Sequence, residues 1–272
     1  MEAGMIPNVL SIAGSDPSGG AGIQADIKAI SACGGYGMAA ITALTAQNTC
    51  GVSGVRMVAP DFVAAQIAAI RADIRIDAVK IGMLGGAATV AAVAAALDGL
   101  DAPVVLDPVM VAKSGDRLLE AEAVAALRDA LPRATVITPN LPEAADLLGT
   151  DEATTREGMA AQARALLGLG PKAVLLKGGH LGGDDSPDLL VEATDLTWLP
   201  GLRHATHKTH GTGCTLSSSL ATFLAHGLPL GRAAAEAKAY VAAAIAQADA
   251  LTVGQGHGPT HHFHAFQKGQ TA

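Results

Sequence analysis

The chain has 272 residues, of which half are AVILMFWYC types and only 3% are aromatic, and it carries a formal net charge of -7. That length allows one large domain or two small ones, with a core that buries roughly three quarters of the unfolded surface. The acidic balance and scarce aromatics exclude a basic phosphate-tracking face and a base-stacking groove, so nucleic acid is not expected as a partner.

Short β-branched runs alternate with Ala-rich runs of helical period. Strands are predicted at Asn8–Ala13, Met38–Thr45, Ala78–Ile81, Val104–Leu106, Thr135–Thr138 and Ala173–Leu176, mostly as continuous apolar segments of the kind buried on both faces. Helices are predicted near 20–33, 60–73, 86–98, 120–131, 142–148 and 156–168. This is the pattern of βαβ units, and it predicts a three-layer α/β fold: a mostly parallel central sheet with helices on both faces. Residues 188–200 read as an antiparallel edge hairpin, followed by helices near 212–226 and 230–250. In the first of these, Leu216, Leu220, Phe223 and Leu224 form an apolar stripe that stops at Gly227. Without a linker or repeat, one domain is expected over 1–272, with 254–272 as a surface tail. Three cysteines without a CxxC pair, no basic leader and no long apolar run suggest a cytoplasmic chain that does not enter a membrane.

In an open parallel sheet, ligands bind beyond the carboxyl ends of the strands. Six predicted strands are followed there by small, polar or charged groups: Gly14-Ser15-Asp16, Gln47-Asn48, Gly82-Met83, Asp107, Asn140 and Lys177. Each alone is an ordinary strand end, but together they describe a concave site carrying both signs of charge.

The run Thr209-His210-Gly211-Thr212-Gly213-Cys214 opens a helix. Its glycines free the backbone N–H groups to converge, and the helix terminus adds partial positive charge, which suits an anion hole for a phosphoryl group. It is not a Walker A loop, and it lacks the third glycine of a dinucleotide fingerprint. A helix terminus lowers a thiol pKa, so Cys214 reads either as a base or as a small packed residue. Asp26 falls in the inward sector of its helix, where a carboxylate must be paired or used. Asn140-Leu-Pro-Glu143 reads either as a helix start or as outer ligands for Mg²⁺.

The segments IAGSDPSGGAGIQADIKAISACGGYG, ITALTAQNT, VKIGML, VVLDPVM, AKSGD, ITPNLPEA, LLKGGH and HGTGCTLSSSLA occur in this order. Together they resemble the hydroxymethylpyrimidine/phosphomethylpyrimidine kinases of thiamine biosynthesis, in the ribokinase superfamily, over nearly the whole chain. The resemblance implies a ribokinase-like fold and two ATP-dependent phosphorylations, of 4-amino-5-hydroxymethyl-2-methylpyrimidine and then of its monophosphate. It places Gln47 on the aminopyrimidine edge, Asp26 and the Gly14 backbone in the same pocket, and Met83 and Val109 against the ring. Gly211, Thr212 and Gly213 become the anion hole, with Cys214 where most ribokinase relatives carry an Asp base. Lys177 and Thr209 fall to ATP, and Asn140, Glu143 and Asp107 to Mg²⁺ and phosphate. Segment 110–117 becomes a flap, and a homodimer is compatible with the superfamily. Two other readings stand beside this one: a pyridoxal-type kinase, and a non-catalytic pyrimidine-binding protein. His204, His207 and His210, and the cluster His261, His262 and His264, are expected at the surface or in packing rather than on a metal.

Overall fold

The computed structural model describes residues 5–110 and 121–266. In chain order the described elements are β1 (Asn8–Ser15), α1 (Gly22–Ala32), β2 (Tyr36–Asn48), β3 (Gly51–Met57), α2 (Pro60–Arg71), β4 (Ala78–Ile81), α3 (Ala87–Ala96) and β5 (Val104–Leu106). They continue with α4 (Ala121–Ala130), β6 (Val136–Ile137), α5 (Leu141–Leu148), α6 (Arg156–Leu167), β7 (Val174–Lys177), β8 (Asp188–Val191), β9 (Leu196–Leu199), α7 (Thr212–Ala225) and α8 (Leu230–Ala246). The described strands form one sheet in the order β3-β2-β1-β4-β5-β6-β7-β8-β9. The run from β2 to β7 is parallel. β3 pairs antiparallel with β2 at one edge, and β8 and β9 continue antiparallel at the other.

Side chains alternate across a strand, and here the alternation fills two cores. Leu10, Val79, Leu106, Ile137 and Leu176 point into the layer that also contains Val63 of α2, Val90 of α3, Leu147 of α5 and Leu166 of α6. Their neighbours Val9, Ala78, Val105, Val136 and Leu175 pack on the opposite side with Ile30 of α1, Leu216 and Leu220 of α7, and Val241 of α8. Burial on both faces explains why these strands are continuous apolar runs.

The order of the strands fixes where a ligand can sit. The chain builds outward from β1 to β2 and β3, then returns to place β4 on the other side of β1. The crevice beyond the carboxyl ends of β1 and β4 is therefore the switch point of the sheet. Helix α7 packs across β1, β4 and β5 and against α1, so its N-terminus lies at that crevice. No described helix is long and apolar enough to cross a membrane.

The structure departs from the sequence reading in three places. Strand β3 was not anticipated: its sequence GVSGVRM holds two glycines, and Ser53 to Met57 are exposed, so it carries no buried-strand signal. The helix predicted to run to 250 ends at Ala246 and is followed by a separate 3₁₀ turn, Ala248–Ala250. The third departure is the expected surface tail, which is packed through its middle. Gly258, Pro259, Thr260, His261 and His262 are buried. His257 N donates to Thr49 O at 2.8 Å, His210 N donates to Gly258 O at 3.0 Å, and Tyr240 Oη donates to His262 O at 2.8 Å. Small and imidazole side chains without a period hid this packing from a pattern-based reading. The proposed flap 110–117 lies outside the described residues except for Met110, which is buried.

Removing residues 258–266 should therefore lower the thermal midpoint by about 5 °C or more, since several buried hydrogen bonds worth ~1 kcal/mol each are lost. Circular dichroism melting of the truncated and full chains checks this, and an unchanged midpoint would return the segment to the surface.

Candidate active site

The loop after β1 is built around glycines and one carboxylate. Gly22 has φ +57, and a Cβ there would sit 2.3 Å from Gly14 O, so this bend closes only with glycine. Asp16 is buried and organises the loop. Its Oδ1 accepts from Ser18 N at 2.9 Å and Ser18 Oγ at 2.7 Å, and its Oδ2 accepts from Ala21 N at 2.9 Å. His210 Nε2 lies 2.8 Å from the same Oδ2. Burial works against the Asp16 charge, but the hydrogen bonds from His210, Ser18 and Ala21 outweigh it and hold the carboxyl at about 2. His210 is buried too and lies 3.5 Å from Gln47 Nε2.

A second cluster gathers at the ends of β5, β6 and β7. Lys177 Nζ donates to Asp107 Oδ1 at 2.8 Å and stands 3.8 Å from Glu143 Oε2. Thr138 Oγ1 also donates to Asp107 Oδ1, at 2.9 Å. Asn140 and Glu143 form a reciprocal capping box at the start of α5. Asn140 Oδ1 accepts from Glu143 N, and Glu143 Oε2 accepts from Asn140 N, both at 2.8 Å. Burial pushes the Glu143 carboxyl up; Lys177 pulls it back, Asp107 pushes it up again, and the result is about 7. Burial disfavours the Lys177 charge, but Asp107 and Glu143 outweigh that and hold its pKa above the ordinary value.

The third part is the N-terminus of α7. Gly211 caps the helix at φ +78, where a Cβ would lie 1.7 Å from Gly20 O, so the two glycine loops close against each other. The first intrahelical bond is Thr215 N to Gly211 O, which leaves the N–H groups of Gly213 and Cys214 ahead of it without intrahelical acceptors. A Cβ on Gly213 would come within 3.2 Å of Lys177 Nζ and 3.4 Å of Asp107 Oδ2. The helix terminus and the Lys177 cluster therefore meet at one point.

All three parts line one cavity of about 790 Å³. It receives Gly14, Gln47, Met83, Val109, Asp107, Asn140, Glu143, Lys177, Thr209, Gly211, Thr212, Gly213 and Cys214. One expectation needs correction. Asp26 does not line this cavity. It is fully buried, with both oxygens on Lys80 Nζ (2.9 and 2.8 Å), and it accepts from Ser11 Oγ at 2.6 Å and Ser218 Oγ at 2.7 Å. The inward carboxylate is thus paired rather than offered to a ligand. Cys214, which the sequence leaves as either a base or a small packed residue, is half-buried on the cavity wall. Burial pushes its thiol up to about 11; Lys80 opposes this, Asp26 and Asp107 reinforce it, and the thiol is neutral near pH 7.

Lys80 and His210 are the site residues that the sequence reading missed. Lys80 is completely buried inside the apolar run Ala78–Ile81, and a lysine within such a run was itself the available signal. Burial opposes its charge, but Asp26 outweighs that and keeps its pKa above the ordinary value. His210 was grouped with the packing histidines. Of the others, His261 and His262 are buried, His204 and His264 are half-buried, and His207 is exposed.

Comparison with known proteins turns this geometry into a family assignment. A family profile described as phosphomethylpyrimidine kinase matches residues 16–261. The chain belongs to the phosphomethylpyrimidine kinase family. A hydroxymethylpyrimidine/phosphomethylpyrimidine kinase of Salmonella typhimurium is 54% identical over 261 residues, covering 95% of this chain and 98% of the relative. The Escherichia coli protein of the same name is 52% identical over 261 residues, again covering 95% and 98%. Among solved structures, the ADP complex of Bacillus subtilis pyridoxal kinase matches with a TM-score of 0.89 at 37% identity, covering 97% of this chain and 100% of that one. Phosphomethylpyrimidine kinase from Clostridium difficile matches at 0.76 and 41% identity, covering 86% of this chain and 97% of that one. The fold is ribokinase-like.

In this family member, Asp26→Ala leaves the Lys80 ammonium buried without its partner, which should cost about 3–5 kcal/mol of stability. The double change Asp26→Ala with Lys80→Met should recover much of that loss. Urea unfolding of the two variants checks this, and equal losses would mean that the charges are not coupled.

Proposed function

We propose that the protein transfers the γ-phosphoryl group of ATP to the hydroxymethyl oxygen of 4-amino-5-hydroxymethyl-2-methylpyrimidine. In a second turnover it phosphorylates the monophosphate to the diphosphate, as a step in thiamine biosynthesis. The observation that carries this reading is a single cavity with a carboxamide at one wall and a phosphoryl-binding apparatus at another. Gln47 offers one donor group and one acceptor, as an aminopyrimidine edge requires, while Met83 and Val109 supply apolar surface for the ring. Lys177 and the first-turn N–H groups of α7 provide positive charge where a transferring phosphoryl group would develop negative charge.

The donor set fits Mg²⁺, which is commonly held by one or two carboxylates together with substrate phosphates and water. Asp107 and Glu143 would hold it; both are buried and stand 2.8 and 3.8 Å from the same Lys177 ammonium. Asn140 would act mainly through the capping box, fixing Glu143 at the start of α5. When bound, the ion would neutralise charge on the phosphate oxygens. The chain's own contribution is positioning. Gln47 orients the ring, and Lys177 and the Gly213 backbone hold the phosphoryl group. Cys214 sits beside the reacting groups as a neutral thiol, and loose phosphoryl transfer needs little base strength. The reaction would take place in the cytoplasm, with ATP and the pyrimidine alcohol as partners.

A second reading, phosphorylation of pyridoxal, is favoured by one observation: the fold matches the pyridoxal kinases of B. subtilis and of Staphylococcus aureus, the latter solved with AMP-PCP and pyridoxal at a TM-score of 0.88. Both alcohols carry a hydroxymethyl arm on a six-membered aromatic ring. Formation of a diphosphate separates the two readings.

The test incubates the purified protein with ATP, Mg²⁺ and each alcohol, and follows mono- and diphosphate products. The pyrimidine should be consumed faster and carried to the diphosphate, and no pyrimidine-dependent ATP consumption would overturn the reading. Gln47→Ala should raise the pyrimidine KM by about 10–100-fold, because ~1–3 kcal/mol of hydrogen bonding is lost. Gly213→Val fills the space beside Lys177 and Asp107, and should lower kcat by about 100-fold or more. Steady-state kinetics with each substrate varied in turn checks both.

A further inference from the structure

Gln47 is placed by neighbours whose hydrogens are already committed. Thr45 Oγ1 lies 2.8 Å from Ser15 O and 3.2 Å from Gln47 Oε1. A hydroxyl has one hydrogen, and a backbone carbonyl can only accept, so the shorter bond to Ser15 takes it. Thr45 Oγ1 then faces Gln47 with lone pairs alone. At the other end of the carboxamide, His210 Nε2 lies 2.8 Å from Asp16 Oδ2 and 3.5 Å from the Gln47 nitrogen. Ionised Asp16 carries no hydrogen, so His210 Nε2 is the donor in that bond; its one hydrogen is committed to Asp16, and the nitrogen has no lone pair left to accept from Gln47.

Two mismatches follow from placing the Gln47 oxygen beside Thr45 and its nitrogen beside His210: oxygen lone pairs face lone pairs, and the NH₂ group faces a ring nitrogen that cannot accept. Turning the terminal amide by half a turn removes both. The two ends have nearly the same shape, so only the hydrogen inventory distinguishes them. The NH₂ group then donates to Thr45 Oγ1, and the oxygen lies beside the His210 ring edge, where no acceptor is required.

We propose that Thr45 and the His210–Asp16 pair are positioning residues that fix the Gln47 carboxamide with its NH₂ toward Thr45 and its oxygen toward His210. They thereby set the donor–acceptor order that a ligand's ring edge must match. Each end of the carboxamide keeps one group for the cavity: one N–H on the Thr45 side and one oxygen lone pair on the His210 side. An edge with a ring nitrogen acceptor beside an exocyclic amine donor satisfies both, its nitrogen lying on the Thr45 side and its amine on the His210 side. A ring edge with the order reversed, or with two acceptors, leaves one of them unpaired.

The relay is held rigidly enough for this. Asp16 accepts from Ser18 and Ala21 as well as His210, and its own N–H donates to Gln24 Oε1 at 2.8 Å. His210 N is tied to Gly258 O, and its ring lies so close to Gly20 that a Cβ there would fall 2.3 Å from Cδ2. Neither group can turn without breaking the glycine loop or the C-terminal packing.

This inference deepens the pyrimidine kinase reading and rests on it for the ligand, but the orientation itself can be measured without turnover. In ¹⁵N-labelled protein, the Gln47 side-chain NH₂ protons should show nuclear Overhauser contacts to the Thr45 methyl group. Contacts to the His210 ring proton on Cε1 instead of that methyl would overturn the proposal, whatever the activity. Kinetics supplies the second arm. In Asp16→Asn the side chain keeps one acceptor oxygen where Ser18 N, Ala21 N and His210 use two, so the His210 Nε2 proton is no longer fixed and the Gln47 amide is no longer held in one orientation. The aminopyrimidine KM should rise at least about 10-fold, with the ATP KM within about twofold of the wild type. Thr45→Val, which keeps shape and removes the hydroxyl, should give a smaller rise of the same kind. Placed on Gln47→Ala, both changes should lose these effects; if the effects persist undiminished, they act through general structure and the proposal fails. A wild-type protein that transfers nothing to the aminopyrimidine alcohol would overturn the kinase reading, while the Overhauser pattern would still decide the orientation.

Discussion

The fully buried ion pair between Asp26 and Lys80 is the interaction on which the site depends. Asp26 belongs to α1, Lys80 to β4, and the hydroxyls that complete the carboxylate shell come from Ser11 of β1 and Ser218 of α7. Four elements are thus pinned to one carboxylate directly below the switch point of the sheet. A pair this dry adds little net stability, because desolvation cancels most of the attraction. What it provides is position: α7 can approach the sheet in only one register, which places its N-terminus over the ends of β4 and β5. Gly213 can therefore lie within reach of Lys177 and Asp107 although the three residues come from distant parts of the chain.

Around this anchor the charges of the cavity are arranged in layers. The deepest is the Asp26–Lys80 pair. Above it lie Asp107, Lys177 and Glu143, where two carboxylates share one ammonium. Beside them stands the partial charge of the helix terminus, carried by backbone N–H groups rather than by an ionised side chain. A net-acidic chain can accommodate a nucleotide in this way. It needs no basic surface when one lysine, one helix end and two buried carboxylates are held at fixed distances.

Much of this was legible in the sequence because it rests on pattern. Continuous apolar runs identified the parallel strands, and Ala78–Ile81 and Val104–Leu106 were read to the residue. The residues after each run named part of the cavity lining: Gly14, Ser15, Gln47, Met83, Asp107, Asn140 and Lys177. What was not legible depends on pairing across the fold. The inward position of Asp26 showed only that it needed a partner, and that partner was concealed within a strand whose other three residues are apolar. Strand β3 is an edge strand with a solvated face, so it lacks the apolar pattern by which buried strands are recognised. The influence of Asp16 on His210 joins residues 194 positions apart, and no local signal reports such a contact. Cys214 illustrates the same gap: its place in the first helical turn was evident, but the burial that keeps its thiol neutral was not.

The packed C-terminal segment has a consequence for the birth of the molecule. Gly258 holds the backbone of His210, Gly256 and His257 bond to Thr49 beside the end of β2, and Thr260 and His262 surround Thr215 in the first turn of α7. The loop that holds Asp16 comes well before, in chain order, the segment that closes against it. A nascent chain can thus pair β1 with β2 and β4 before that segment is made, because those contacts lie within residues 8–81. The pocket cannot be completed until translation has passed residue 262 and that stretch has cleared the ribosome. Ligand binding is accordingly acquired only after the sheet that supports it can already exist.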